Sequence, residues 1–183
     1  QMFDVLCKAN DLAPDQHQSI LTKLRYMAKR RILLNGTVLD ERGTYAFPVI
    51  ELFRAAINLE LAGLAMDVRA LEPVVAAAGR RHPDGLDVPE SMKRDGAWTS
   101  QGGLWDAIHG VAQGEQWTLR VELKRPGQNR EGGIAAAFVC DDIEHEKADS
   151  GIVDEIVGQG PAWTRLTVDL TELFRPLIEI VGV

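Results

Sequence analysis

The sequence predicts an α+β protein: a mostly helical N-terminal domain over residues 2–78, a linker over 79–103 and a small α+β module over 104–183. Three observations lead there. Apolar residues recur at helical spacing through most of the first part. Gly, Pro, Asp, Ser and charged residues dominate the middle stretch. The last part holds short runs that alternate apolar and polar residues, as half-buried strands do. The chain has 183 residues, 45% of them apolar and 26% charged, the balance of a globular protein with length enough for two small cores.

Phe3, Leu6, Cys7 and Ala9 predict a short helix over residues 2–12. Ala13-Pro14-Asp15 interrupts it, with Asp15 placed to cap the next helix. Ile20, Leu21, Leu24, Met27 and Ala28 form one apolar stripe of that second helix, from residue 16 to about residue 33. Turn signals at Asn35-Gly36 and Glu41-Arg42-Gly43, beside β-prone pieces over 32–34, 37–39 and 44–47, predict a small hairpin. Pro48 opens an apolar helix that ends at Gly63. Asp67 is an N-cap for a further helix over 68–75, which Pro73 should kink. Beyond the linker come a short helix over 104–112 and strands over 117–123, 134–140 and 166–170. Residues 151–157 and 171–181 read as either helix or strand.

Charge is divided unevenly. Residues 1–81 carry 11 Lys and Arg against 9 Asp and Glu, and residues 82–183 carry 9 against 18. The net charge of −7 therefore hides a weakly basic first part, and binding depends on local potential, not on the sum. The second helix concentrates the effect: Lys23, Arg25, Lys29, Arg30 and Arg31 fall between residues 16 and 31 with no acid among them. Its apolar stripe faces a core, which leaves that charge for a polyanion. Ser19 and Thr22 add short hydrogen-bonding side chains suited to phosphates or base edges.

Helix, tight turn, basic helix, hairpin and two apolar helices is the order of a winged helix-turn-helix. Leu24-Arg25-Tyr26 followed by Lys29-Arg30-Arg31-Ile32-Leu33 resembles the passage from recognition helix to wing in MerR-type regulators. Arg42-Gly43-Thr44-Tyr45-Ala46-Phe47 is similar to that family's wing signature, and residues 50–64 resemble its next helix. Met27, Ala28 and Ala46 depart from the family's Tyr, Glu and Arg. The resemblance covers roughly residues 2–78 and implies a bacterial, DNA-binding transcription regulator. The recognition helix would span about residues 16–31 and the wing about 34–47. It implies that Ser19, Thr22, Lys23 and Tyr26 point into the groove of double-stranded DNA. It further implies that Arg25 contacts a phosphate or ties the helix to its neighbours, that Arg42 and Tyr45 brace the wing, and that Lys29, Arg30 and Arg31 add sequence-independent attraction. Residues 79–103 leave no room for the family's long dimerisation helix, so homodimer formation, or the sensing of a small-molecule or protein effector, is expected of the 104–183 module.

Other features carry less. Cys7 and Cys140 are too few and too far apart for a disulfide framework or a metal site and read as buried free thiols. No metal and no cofactor is expected. Residues 141–146, with His145 among four acids, read as a solvated acidic loop. Trp98, Trp105, Trp117 and Trp163 read as core or interface anchors. His109 reads as packed, and His17 and His82 as exposed. No nucleotide-binding or nucleophile motif appears, so the chain is not expected to be an enzyme. No apolar run reaches the roughly 20 residues of a membrane span, and no basic-then-apolar leader opens the chain, so the expected location is cytoplasmic. The alternative functions are a protein-interaction adaptor with the same winged fold, or a small enzyme built on His145.

Overall fold

The computed structural model describes residues 2–30, 37–38, 45–64, 66, 68–82, 90–94, 99–124, 133–140 and 162–183. The protein is α+β. Its elements are α1 (Met2–Ala9), α2 (Pro14–Lys29), β1 (Thr37–Val38), β2 (Tyr45–Ala46), α3 (Val49–Gly63), α4 (Val68–Gly79), a 3₁₀ turn (Glu90–Met92), α5 (Gly103–Ala112), β3 (Trp117–Lys124), β4 (Gly133–Cys140), β5 (Ala162–Asp169) and α6 (Leu170–Val181). Contacts group the chain into two units, Gln1–Val75 with Leu173–Val183 and Ala76–Glu172.

In the first unit α1, α2 and α3 pack on one another. Leu6 from α1, Leu24, Met27 and Ala28 from α2, and Leu52, Phe53, Ala56, Ile57 and Leu61 from α3 are buried. Phe174 closes this core with an edge-on contact to Phe53, ring centroids 5.0 Å apart. α2 begins two residues earlier than a cap at Asp15 implies. Pro14 takes the first helical position and Ala13 precedes it, because proline's fixed φ suits that place and its missing N–H costs nothing there. The Gln16 side chain then accepts from the Ala13 N–H at 3.1 Å. β1 and β2 pair antiparallel, Thr37 opposite Ala46 and Val38 opposite Tyr45. α4 runs through Pro73 as far as Gly79 without a break.

The second unit is a three-stranded antiparallel sheet in the order β4–β3–β5, with α5 packed against β4 and β3. Leu119 on β3 stands opposite Phe138 on β4 and Val168 on β5; all three are buried, as are Leu104, Ile108 and Trp117. Glu122, also buried, pairs with Arg165 directly across the strands at 2.6 Å. The segment read from composition as a linker contributes to this unit: Met92 and Ser100 are buried. Gly102-Gly103 is more than an ordinary turn. Gly102 has φ 119° with an added Cβ only 3.2 Å from the Ala78 carbonyl oxygen, and at Gly103 an added Cβ would press on Ala77 and Phe138 at 3.0 Å. Residues 171–181 resolve as helix because Asp169 caps it, its Oδ1 accepting from the Glu172 N–H at 3.0 Å.

The Trp117 indole lies against Gly110, where an added Cβ would overlap Nε1. Gly110→Ala should therefore destabilise the protein by about 2 kcal/mol, measured by urea unfolding. Gly63→Ala, where an added Cβ meets nothing, should stay within about 0.5 kcal/mol of wild type. Equal stability of the two variants would contradict this packing.

Neither cysteine is in a disulfide and both are buried, and burial pushes the Cys7 thiol above its ordinary range. A thiol reagent at neutral pH should modify either one only after unfolding. Rapid labelling of the folded protein would show an exposed thiol.

Candidate nucleic-acid interface on α2

α2 has two faces with different tasks. Leu24, Met27 and Ala28 are buried, and their spacing of three and one residues keeps them on one side of the helix. Ser19, Thr22, Arg25, Tyr26, Lys29 and Arg30 are exposed. Ser19, Thr22 and Tyr26 follow one another at intervals of three and four, so they line up along the side opposite the core. Arg25 and Lys29 flank this row on one side, Arg30 and the half-buried Lys23 on the other. From Ser19 to Arg30 the row spans about 17 Å, roughly three turns.

Among the described residues, Lys23, Arg25, Lys29 and Arg30 make no ion pair. Ion pairs among the described residues lie instead on α3, at the 3₁₀ turn, across the sheet and at His82. Like charges this close repel one another in the free protein, and nothing on α2 itself offsets that, since its one acid, Asp15, lies in the first turn. A polyanion along the exposed side would offset it.

Two details refine the expected roles. The Thr22 hydroxyl donates to the Gln18 carbonyl at 2.8 Å, so its proton is engaged within the helix and its oxygen is left as an acceptor. Tyr26, expected in the groove, is 46% exposed and carries the Arg30 guanidinium over its ring, 5.4 Å from the centroid. Tyr45 lies on β2. Arg31 and Arg42 lie outside the described residues, as do residues 141–146 with His145.

The most polar cluster of the second unit is one that sequence reasoning missed. His82, expected to be exposed, has a side chain only 10% accessible. Its Nδ1 donates to Asp106 Oδ2 at 2.6 Å, and its Nε2 lies 2.9 Å from the Phe138 carbonyl oxygen. Ser100 Oγ donates to the same Asp106 oxygen at 2.5 Å and accepts from the His82 N–H at 2.8 Å. Asp106 Oδ1 accepts from the Gln101 N–H at 2.9 Å. Ser, His and Asp are all present, yet the connectivity is not that of a nucleophile and its base. The serine bonds the carboxylate, and the distal imidazole nitrogen faces a main-chain oxygen. The cluster ties residues 82 and 100–102 to α5 and β4. His82 falls in the stretch 79–103 that composition marks as a linker, and nothing in the spacing from His82 to Asp106 signals their contact.

The remaining aromatic and histidine residues divide similarly. Trp117 is buried and Trp105 is 40% exposed. The side chains of Trp98 and Trp163 lie outside the described residues. His109 is half-buried on α5. His17 is half-buried too, its Nε2 3.2 Å from the Leu12 carbonyl oxygen and its ring edge-on to Phe3. Among the described residues, no His, Cys, Asp and Glu side chains gather as three or more metal ligands. No helix there is long and apolar enough to cross a membrane.

Asp106→Ala should cost about 3 kcal/mol in urea unfolding, because it strands the His82 ring, the Ser100 hydroxyl and the Gln101 N–H together. Asp106→Asn, which keeps an acceptor oxygen, should cost less. A loss under about 1 kcal/mol for the alanine variant would mean that the cluster is dispensable.

Comparison with known protein families, with curated proteins and with solved structures found no match to this chain.

Proposed function

We propose that this chain is a DNA-binding transcriptional regulator in which α2 docks in the major groove and the β1–β2 hairpin lies at the flanking backbone. One observation carries the reading: the exposed side of α2 presents Lys23, Arg25, Lys29 and Arg30 around Ser19, Thr22 and Tyr26, and the four cations make no ion pair among the described residues. A major groove about 12 Å wide admits one helix, and a helix so equipped meets both its walls and its floor. The element order supports the same reading. Two helices, a short antiparallel hairpin and two further helices follow the sequence of parts in a winged helix-turn-helix. On this reading the second unit serves as the oligomerising or effector-sensing part. A dimer would then address half-sites about 34–36 Å apart, or a multiple of that spacing.

Duplex binding measured against salt tests the proposal. Affinity should fall with a log–log slope of about −0.9 for each phosphate neutralised. Arg25→Glu combined with Lys29→Glu should weaken binding and reduce the magnitude of that slope by about 2. Absence of binding at about 50 mM salt, or affinity unaltered in the double variant, would overturn it. Such a result would favour a winged domain that binds protein.

A further inference from the structure

From the Tyr26–Arg30 stack we infer that Arg30 selects guanine in the bound duplex instead of serving as undirected positive charge. The inference rests on the DNA-binding reading and adds a base preference to it. Arg30 belongs by sequence with Lys29 and Arg31, a run whose attraction for phosphate needs no fixed geometry. The structure separates it from them. Its backbone is held at the end of α2, where its N–H donates to the carbonyls of Met27 and Tyr26 at 3.1 and 3.3 Å. Its guanidinium lies over the Tyr26 ring, one turn back along the helix.

That arrangement leaves the arginine's hydrogen-bonding capacity intact. The contact is made to the ring face of Tyr26, and the guanidinium carries five N–H donors in one plane. No hydrogen bond or ion pair from the Arg30 side chain to another described residue engages them. A planar donor fork is matched by two acceptors lying in one plane. In the major groove guanine alone offers that pair, through O6 and N7.

Position argues for a base over a phosphate. Tyr26 lies in the central row of the exposed side with Ser19 and Thr22, the row that meets the groove floor. The guanidinium carbon lies over the ring of this row's Tyr26, 5.4 Å from its centroid, so the cation is associated with the central row. Tyr26 is itself unusual there, an aromatic ring 46% exposed on a polar face. Holding an arginine explains its presence.

Selection of bound sequences from a random duplex pool tests the inference, using the full chain and its Arg30→Lys and Tyr26→Leu variants. Both substitutions are at exposed positions, so the variants keep the fold. Wild type should enrich a motif with guanine at one fixed position. Each variant should lose guanine preference there by about tenfold, within the range of one bidentate base contact, while the rest of the motif persists. A uniform loss of affinity in Arg30→Lys, with the motif unchanged, would assign Arg30 to a phosphate and overturn the inference alone. Guanine preference intact in Tyr26→Leu would overturn the role of the stack. Failure of wild type to bind any duplex at low salt would remove both the inference and the DNA-binding reading.

Discussion

The burial of one side of α2 governs which side is offered to solvent. Leu24, Met27 and Ala28 are held in the core that α1, α2 and α3 form together, and burial of a Leu or Met side chain contributes about 1.5–3 kcal/mol. Rotating the helix by even a third of a turn would expose two of them and bury an arginine. The apolar contact thus fixes the azimuth of the helix, and the azimuth decides that Ser19, Thr22, Arg25, Tyr26, Lys29 and Arg30 face outward together. Charge by itself would give an ill-defined sticky surface. Charge held at a set angle by a packed core gives a surface with geometry, which recognition of a groove requires.

The second unit is organised by a different force. Asp106 sits in the first turn of α5, where a carboxylate also benefits from the helix dipole. It gathers the His82 ring, the Ser100 hydroxyl and the Gln101 N–H around its two oxygens. Buried polar groups of this kind stabilise only when satisfied together. Each of these has a partner, and the cluster fastens a segment of irregular backbone to a helix and a strand. His82 also bonds the Phe138 carbonyl of β4, which stands at one end of the β4–β3–β5 order of the described strands.

Much of this was legible in the sequence, for physical reasons that differ from place to place. Helices with a continuous apolar stripe, α2 and α3 above all, could be read because side-chain periodicity and burial agree there. β3 and β4 were legible from alternation and from a dense apolar run. Helix ends were less so: α2 starts at Pro14 because proline's backbone preference outweighs the capping tendency of Asp15. Helix α6 was ambiguous by periodicity, although Asp169 followed three residues later by Glu172 was an available start signal. The polar cluster around Asp106 was not legible, since contacts such as His82 with Asp106 and Phe138 join residues 24 and 56 positions apart. The exposed basic side of α2 came from composition and period, whereas the stacking of Arg30 on Tyr26 needed coordinates. Arg31, Arg42 and residues 141–146 lie outside the described residues.

The central claim is that the outward side of α2 is a contact surface for duplex DNA. Backbone and side-chain NMR of isotope-labelled protein, titrated with a short duplex at low salt, examines it residue by residue. The account predicts the largest shifts at Ser19, Thr22, Arg25, Tyr26, Lys29 and Arg30, with Leu52, Phe53 and the sheet residues Leu119 and Val121 unmoved. Shifts centred on the sheet or on α5, with α2 silent, would contradict it.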